Sequence, residues 1–552
     1  MIKEIQQSIV THWTQPVLTD FKAESYTYAD VAQHITKLHI LFKETGIQRG
    51  DRIALCGTNS SRWGITFLAV VSYGAVVVPI LPDFLSEQIH HIVNHSESRL
   101  LFLTDPILKR LEPEQMTTLI GILRIADYSV AYSASGSSQQ GKNLSDVVEH
   151  LDASWQEAYP QGLTPEKVQF QPEDSPNDMM MINYTSGTTG FSKGVMLPYR
   201  SFDSNYEFAL KELGQRTLGC SILSMLPMAH MYGLMFEFLF EFLNGCHTYF
   251  LTQMPTPQVV ALALQTVKPR ILVAVPLIIE KIVKKKIMKK VMASKAYKLM
   301  QWPIVGYFVK RMVRKQVLQA FGGNMYECIV GGAALNQEVE SFLHSFDFPL
   351  TVGYGATECA PIITFADWRS FAPGSCGRAV VNMEVKIDSS NHQTTPGEIL
   401  ARGKNVMLGY YKNPEITAET IDADGWYHTG DLGIIDAKGN LFIKGRKKNM
   451  LLGPNGQNIY PEEIEDKLNS MLMVSESLVV QRDNRLEALI HPDYEEAREL
   501  HLTDENISNI MQLNQKDLNE VLPAYEHIQA YHIQKEEFEK TPKRSIKRYL
   551  YT

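Results

Sequence analysis

The chain has 552 residues, of which 44% are hydrophobic and 21% are charged. This balance is typical of a folded protein and excludes a disordered or fibrous chain. The length exceeds what one ordinary hydrophobic core supports, so we expect a large domain and a smaller one. The net charge of −8 disfavours a nucleic-acid-binding surface, because such a surface needs concentrated positive charge.

The cysteines and the N-terminus indicate a cytoplasmic protein. Six cysteines are scattered along the chain without a CxxC pair, so neither a zinc site nor a disulfide framework is suggested. The first residues, MIKEIQQSIVTHW, lack an apolar run followed by a cleavage site, and we expect no secretory signal. The longest apolar stretch, 67–82, contains Gly and Pro and falls short of the ~20 residues that span a bilayer. We expect buried helix, turn and strand there.

Helix-like and strand-like segments alternate from residue 26 onward. The apolar periodicity predicts helices and strands in turn at 26–46, 51–57, 63–76, 76–80, 85–97 and 99–103. Such alternation predicts an α/β fold with a parallel or mixed sheet. The polar residues 133–142 predict a surface loop, and a domain boundary is expected near 436–448, giving domains 1–445 and 446–552.

The sharpest motif is YTSGTTGFSKG at 184–194, which follows the apolar run MMMIN and precedes a predicted helix after Ser201. We expect a strand, a loop and then a helix. Glycines at 187, 190 and 194 let the backbone approach an anion, and the Ser, Thr and Lys side chains supply donors for phosphate oxygens. The motif differs from G-x-x-x-x-G-K-[ST], because Gly194 follows the Lys.

Together with five further motifs, this loop resembles the adenylate-forming superfamily, and most closely its long-chain fatty acyl-CoA synthetases. The further motifs are LPMAHMYG at 226–233, GGAAL at 331–335, GYGATE at 353–358, YHTGD at 427–431 and GRKKNMLLGPNGQNIYPEEIE at 445–465. The resemblance covers nearly the whole chain. It implies a large N-terminal domain of layered α/β subdomains and a small mobile C-terminal α+β domain.

The resemblance also implies the cofactors and the roles of single residues in binding ATP and Mg²⁺. The phosphates would be held by the loop residues Thr185, Ser186, Gly187, Thr188, Thr189, Gly190 and Lys193. Tyr354, with Gly355 beside it, would stack on adenine, and Thr357 would contact the α-phosphate. Thr185 and Glu358 would ligate Mg²⁺, an oxygen-seeking cation.

Further roles follow from the other motifs. The backbone of Gly331, Gly332 and Ala333 would run beside the adenine and the acyl group. Asp431 would accept hydrogen bonds from the ribose hydroxyls, with Arg446 as a second ribose contact. His230 would lie near the acyl carbonyl, although a His on an apolar segment is more often a core residue.

The C-terminal domain would rotate between the two half-reactions about a hinge at Lys448, and the loop 453–456 would approach coenzyme A. Relatives carry a catalytic Lys near the C-terminus in patterns such as T-P-x-x-K-x-K-R. Here TPKRSIKR at 541–548 places Ser545 at that position. Lys543 or Lys547 could substitute because a long flexible stem reaches the same point, and we expect Lys543.

The expected reaction is the ATP-dependent joining of a medium- or long-chain fatty acid to coenzyme A through an acyl-adenylate. VAVPLIIEKI at 273–282 and the helical insertion through Phe321 favour the long-chain branch by resemblance. The basic segment from Lys281 to Lys298 could contact an anionic membrane or be a solvated helix face. Transfer to an acyl carrier protein, and a binding module without turnover, remain alternatives; the oligomeric state is left open.

Overall fold

The computed structural model describes residues 1–134, 141–185, 193–253, 255–294, 299–300, 302, 305–453, 457–483, 485–541 and 546–552. Most of the predicted surface loop at 133–142 therefore lies outside the described residues. The α/β prediction is confirmed: helices and strands alternate along the large N-terminal part, and a smaller α+β part follows.

An eight-stranded sheet forms the centre of the N-terminal part. In spatial order its strands are Gly409–Tyr410, Lys193–Pro198, Met179–Thr185, Val76–Ile80, Arg52–Cys56, Ser98–Leu103, Gly121–Arg124 and Val130–Ser133. The pairs from Met179–Thr185 through Gly121–Arg124 are parallel, and those at the two ends are antiparallel.

Both faces of this sheet are buried against helices. Ile53, Leu55 and Phe102 face the core that includes helices Tyr28–Glu44 and Ser61–Tyr73. The intervening residues, such as Ala54 and Cys56, face the core that includes helix Ser86–His95. This alternation is what a two-sided parallel sheet requires. The predicted order of helices and strands through residue 103 is confirmed, as is the buried helix, turn and strand at 67–82.

Four smaller sheets complete the N-terminal part. One contains Ser221–Ser224, His247–Phe250, Pro16–Asp20 and Ser25–Thr27. A parallel sheet contains Ile271–Ala274, Glu327–Val330 and Leu350–Val352, and an antiparallel one contains Tyr354–Gly355, Ile362–Phe365 and Arg378–Ala379. The last, also antiparallel, contains Met383–Asp388, Gly397–Gly403, Tyr427–Ile435 and Leu441–Arg446.

The remaining helices of the N-terminal part pack around these sheets. They are Ile2–Thr11, Asp105–Leu108, Leu144–Ala158, Tyr199–Ala209, Gln215–Thr217, Met231–Leu234, Phe240–Leu243, Pro257–Val267, Pro276–Ile282, Lys289–Met292, Val305–Ala320, Gln337–His344 and Pro414–Thr420. Among the residues that the structure describes, no helix is at once long enough and apolar enough to cross a membrane.

The C-terminal part has its own apolar core, built from residues between Ile459 and Ile528. Its strands are Leu451–Leu452, Asn458–Ile459, Val474–Arg482, Arg485–Pro492 and Ala530–Ile533, and its helices are Pro461–Leu468, Tyr494–Glu499 and Asp504–Val521. It touches the N-terminal part through polar contacts: Asn336 Nδ2 donates to Ser470 Oγ at 2.9 Å and Lys284 Nζ donates to the carbonyl of Asn469 at 3.4 Å.

Candidate active site

The glycine-rich motif lies at a β-hairpin. Strands Met179–Thr185 and Lys193–Pro198 pair antiparallel, and helix Tyr199–Ala209 begins only after the second strand. The predicted helix around Ser201 is present, but strand Lys193–Pro198, which was not predicted, lies between the loop and this helix. The second strand is stabilised on its other side by Gly409–Tyr410, a partner some two hundred residues away that local sequence patterns do not reveal.

The residues that flank the loop are register partners across the hairpin. Thr185 ends the first strand opposite Lys193, which begins the second. At the next position a Cβ on Gly194 would lie 2.9 Å from Ile182 Cγ2, so the pairing needs glycine there. The other predicted phosphate ligands lie outside the described residues: Ser186, Gly187, Thr188, Thr189 and Gly190.

Tyr410 connects the hairpin to the GYGATE motif. Its hydroxyl donates to Glu358 Oε1 at 2.9 Å, and Lys193 Nζ lies 5.1 Å from the centroid of its ring. Burial, with the adjacent charge of Glu358, raises the pKa of Tyr410, so its hydroxyl remains a donor at neutral pH. Sequence analysis missed this residue, because only the pairing of strand Gly409–Tyr410 with the hairpin brings it to the site.

Asp431, Arg446 and Tyr354 form a second cluster. Asp431 and Arg446 are register partners on adjacent strands, and their side chains approach to 3.3 Å between Oδ1 and Nε. The Tyr354 hydroxyl donates to the other carboxylate oxygen at 2.7 Å. Burial raises the pKa of Asp431, while Arg446 and Tyr354 act in the opposite direction. The two predicted ribose contacts and the predicted adenine contact are thus brought together.

A cavity of about 370 Å³ opens beside this cluster. Its lining consists of Thr429, Gly430, Asp431, Arg446, Lys447 and Lys448. Glu398 shapes the wall, because its carboxylate accepts from the backbone N–H of Gly430 at 3.1 Å and pairs with Lys447 at 2.8 Å. The predicted hinge residue Lys448 therefore lies at the cavity that holds the predicted ribose ligands.

Charged groups of the hairpin cluster influence the pKa values of groups at the Asp431 cluster. Burial lowers the pKa of Lys448, with Arg446 as the next cause and Lys193 acting in the same direction. Glu358 likewise contributes to the raised pKa of Asp431. The chain itself also links the two clusters, because Tyr354 of the carboxylate cluster and Glu358 beside the hairpin lie four residues apart in one motif.

The GGAAL motif follows Glu327–Val330, the central strand of the parallel sheet. A Cβ on Gly331 would lie 3.2 Å from the Tyr232 ring, and Gly332 has a φ of +87°. Both positions therefore favour glycine. Ala333 follows without regular secondary structure. The predicted backbone approach at 331–333 is compatible with this geometry.

His230 is half-buried and immediately precedes helix Met231–Leu234. Its segment is fixed from two sides: the Asn183 side chain donates to the carbonyl of Ala229 at 3.0 Å, and buried Glu237 accepts from the backbone N–H of Met225 at 2.9 Å. Asn183 belongs to the first strand of the phosphate hairpin, so His230 is held on the same side of the molecule as that hairpin. Glu237 was not predicted; it resembles an ordinary polar residue of a helix in the sequence.

The GYGATE motif places its functional residues on two short elements. Tyr354 and Gly355 form one strand, and Thr357 and Glu358 begin the following turn Thr357–Cys359. Of the C-terminal candidates, Lys543 and Ser545, like residues 454–456, lie outside the described residues. Lys547 is described and pairs with Glu539 at 3.2 Å.

The sequence of this chain is similar to those of known enzymes. The family model described as "AMP-binding enzyme" matches residues 6–411. The chain is 25% identical to the human long-chain-fatty-acid–CoA ligase ACSBG2 over 86% of this chain and 73% of that protein. It is also 25% identical to a long-chain-fatty-acid–CoA ligase of Escherichia coli O157:H7, over 84% and 80% of the two chains.

Solved structures share the fold at lower identity. An anthranilate CoA ligase in complex with anthranoyl-AMP matches with a TM-score of 0.78 and 19% identity, over 100% of this chain and 96% of the other. An o-succinylbenzoate CoA synthetase from Bacillus subtilis in complex with AMP matches with a TM-score of 0.75 and 16% identity, over 99% and 97%. These matches span both the N-terminal and the C-terminal part. Because the family model covers most of the chain and its motifs converge on one site, this protein belongs to the AMP-binding enzymes.

Proposed function

We propose that this protein is an ATP-dependent acid:CoA ligase that activates a medium- or long-chain fatty acid as an acyl-adenylate and then forms acyl-CoA. The observation that carries the proposal is the convergence of two clusters. Lys193, Tyr410 and Glu358 form one suited to phosphates, and Tyr354 with Asp431 forms one suited to a nucleoside. One ATP molecule with its magnesium ion spans such a pair of sites.

The chemistry explains why this enzyme needs positioned donors more than an acid/base triad. A carboxylate oxygen attacks the α-phosphorus of ATP, and pyrophosphate leaves. The thiolate of coenzyme A then attacks the acyl carbon, and AMP leaves with the oxygen that came from the carboxylate. Both steps redistribute negative charge, so fixed cations and N–H donors stabilise the transition states.

The nucleoside end would be bound by Asp431, Arg446 and Tyr354. The carboxylate of Asp431 is already oriented by Tyr354 at 2.7 Å and by Arg446 at 3.3 Å. Ribose hydroxyls would donate to this carboxylate, a charge-assisted hydrogen bond of the stronger kind. Its orientation before binding reduces the entropy lost when the nucleotide docks.

The phosphate end would be bound by the hairpin loop and Lys193. Thr185 and Lys193 are held opposite each other by the strand register, so the loop between them starts and ends at fixed points. Thr357 would contact the α-phosphate, and His230 would lie beside the reacting acyl carbonyl. In this arrangement the hairpin orients the leaving pyrophosphate while the acid approaches from the other side.

Glu358 fits a magnesium ion. Its carboxylate lies beside the hairpin, accepts from Tyr410, and forms no ion pair with a Lys or Arg of the described residues. Thr185 would supply a second oxygen. No group of three His, Cys, Asp or Glu side chains in the described part of the chain could hold a metal alone. A Mg²⁺ ion would therefore depend on the nucleotide's phosphates for most of its ligands, and when bound it would neutralise charge on the leaving pyrophosphate.

We place the domain division between residues 445 and 446 and the hinge at Lys448. Strand Leu441–Arg446 belongs to the sheet of the N-terminal part, whereas the separate C-terminal core begins at Ile459. Polar contacts join the two parts, namely Lys284 to Asn469, Asn336 to Ser470 and Lys444 to Glu463, which suits an interface that opens and closes. Rotation about Lys448 would exchange the catalytic Lys543 for the loop 453–456 that admits coenzyme A.

The fatty-acid assignment rests on the two ligases compared above, whose printed names specify long-chain fatty acids. Its test is pyrophosphate release by the purified chain with ATP, Mg²⁺ and acids from acetate to long-chain fatty acids, with and without coenzyme A. We expect release with medium- or long-chain acids and acyl-CoA formation when coenzyme A is present. Release only with aromatic or short acids would contradict the substrate assignment, and ATP binding without release would contradict catalysis.

A further inference from the structure

The charge of this chain is unevenly distributed. Twelve Lys and Arg residues and no Asp or Glu lie between residues 281 and 326. Because the whole chain carries −8, all the remaining residues together carry −20. So concentrated a positive segment on an acidic protein indicates a partner of negative charge.

The first half of this segment is not a free apolar surface. Val283, Ile287 and Met288 are buried in the core of the N-terminal part. Lys284 donates to the carbonyl of Asn469 in the C-terminal part. Of the Ile, Val and Met side chains that suggested a membrane contact between Lys281 and Lys298, Val283, Ile287 and Met288 thus face inward, whereas Met292 is 42% exposed.

The second half exposes its apolar residues. Of the 22 large hydrophobic side chains that are exposed among the described residues, seven lie within residues 292–312. They are Met292, Leu299, Trp302, Val305, Tyr307, Phe308 and Met312. So dense an apolar exposure is unusual on a soluble surface and marks an interaction site.

Helix Val305–Ala320 carries the largest share of them. Gly306, Val313 and Val317 are its buried residues, and their spacing defines one face of the helix. The opposite face presents Phe308, which is 67% exposed, and Met312, which is 47% exposed. Arg311 and Lys315 are exposed on this same face.

We propose that this face docks on an anionic lipid surface. The docking face is defined as Trp302, Tyr307, Phe308, Arg311, Met312 and Lys315. Phe308 and Met312 would enter the boundary between headgroups and acyl chains, and Arg311 and Lys315 would contact the lipid phosphates. Trp302 and Tyr307, 62% and 64% exposed, have the amphipathic rings that favour the membrane interface.

The mixture of residues on the face favours a lipid surface over an acidic protein. In a protein interface, a central Phe and Met would be buried together with Lys315, and Lys is depleted from such interfaces. At a lipid interface the apolar side chains enter the boundary of the acyl chains, and the basic side chains remain at the level of the phosphates. Arg314 is excluded from the docking face because its guanidinium lies 4.9 Å from the Trp368 ring centroid.

The inference concerns binding and holds independently of the proposed reaction. The experiment is sedimentation of the purified full chain with vesicles of phosphatidylcholine alone, and of phosphatidylcholine mixed with phosphatidylglycerol. We expect binding to the mixed vesicles that weakens as salt rises, because screening shortens the range of the charges. The double variant Phe308→Ser, Met312→Ser should lower the partition coefficient at least about tenfold, and Arg311→Gln, Lys315→Gln roughly tenfold.

The matched control is Leu513→Ser, Val521→Ser, which removes two exposed apolar side chains from helix Asp504–Val521 of the C-terminal part. It should bind vesicles as the unaltered chain does. Circular dichroism of all variants confirms that they fold. Equal binding by the Phe308 and Met312 variant, or no binding of the unaltered chain to mixed vesicles, would overturn the proposal. Co-elution with an acidic carrier protein in place of vesicle binding would overturn it too and identify the face as a protein site.

Discussion

Asp431 combines burial, a charge and two orienting partners. Burial raises its pKa, which means that the ionised carboxylate is disfavoured by its surroundings. The fold nevertheless holds it between Tyr354 and Arg446. A group kept charged against desolvation, beside a cavity, is typical of a binding residue.

Replacement of Asp431 by Asn should weaken ATP binding without lowering the stability of the fold. We expect the Kd for ATP to rise about tenfold or more, because hydrogen bonds to charged groups contribute about 1.5–3 kcal/mol. The melting temperature should stay equal or rise, since a disfavoured charge is removed and Arg446 is exposed enough to be hydrated. Calorimetric titration and thermal unfolding measure the two quantities. Asp436→Asn, which alters a turn carboxylate on the same chain segment, should leave ATP affinity unchanged; a loss as large as that of Asp431→Asn would refute the assignment.

Tyr410 should act by positioning Glu358. The variant Tyr410→Phe removes the hydroxyl that donates to Glu358 but keeps the ring beside Lys193. We expect the Mg²⁺ concentration for half-maximal activity to rise roughly threefold to tenfold, the worth of one hydrogen bond. ATP binding without Mg²⁺ should not change. Tyr411→Phe is the control, because that hydroxyl contacts Glu97; equal magnesium curves for Tyr410→Phe and the unaltered chain would exclude the role.

At the scale of elements, the segment 541–548 contains both candidates for the Lys that would serve adenylation. Lys547 is engaged by Glu539, which favours Lys543 for this role. We expect Lys543→Ala to slow adenylation on the order of a hundredfold, as loss of one transition-state contact does. Thioester formation from supplied acyl-AMP should be unaffected. Lys547→Ala should change little; the reverse pattern in a pyrophosphate-release assay would assign the role to Lys547.

A carboxyl group on helix Pro461–Leu468 should make the stability of the fold depend on pH. Burial raises the pKa of Asp466 to about 7, and Glu280 of the N-terminal part adds to the shift. A folded-state pKa above the unfolded value stabilises the fold at low pH, and this contribution is lost as pH rises towards 7. We expect Asp466→Asn to be more stable than the unaltered chain at pH 8 and equally stable near pH 4.

Thermal unfolding at the two pH values measures this effect. Glu463→Gln lies on the same helix but breaks the ion pair with Lys444, so it should give no gain in stability at pH 8. If Asp466→Asn shows the same pH dependence as the unaltered chain, the burial of Asp466 does not contribute to the pH dependence of stability.

Local signals explain which elements the sequence predicted. Helix Tyr28–Glu44 begins at a capping box formed by Thr27 and Asp30, and helix Ser61–Tyr73 ends at Gly74 in the left-handed conformation. Such signals act within one or two turns and are visible in the sequence. Strand Lys193–Pro198 was missed although it pairs with Met179–Thr185, its neighbour in the sequence; its other pairing, with Gly409–Tyr410, is long-range.

At the scale of the whole molecule, the site is assembled from segments that are far apart in the chain. Motif chemistry predicted Tyr354, Asp431 and Arg446, and the structure brings them together. The role of Tyr410 could not be predicted, because it follows from the order of strands in the central sheet. Similarly, the exposure of Phe308 and the burial of Val283 depend on tertiary packing, although both lie in equally basic sequence.

The central claim is that the acid is activated by transfer of AMP to its carboxylate. Incubation of the purified chain with ATP, Mg²⁺, coenzyme A and a fatty acid labelled with oxygen-18 in its carboxylate, followed by mass spectrometry of the products, tests it directly. We predict one labelled oxygen in AMP and none in pyrophosphate, because AMP departs with the oxygen that attacked the α-phosphorus. Label in inorganic phosphate with formation of ADP, or no label in any phosphorus product, would contradict the account.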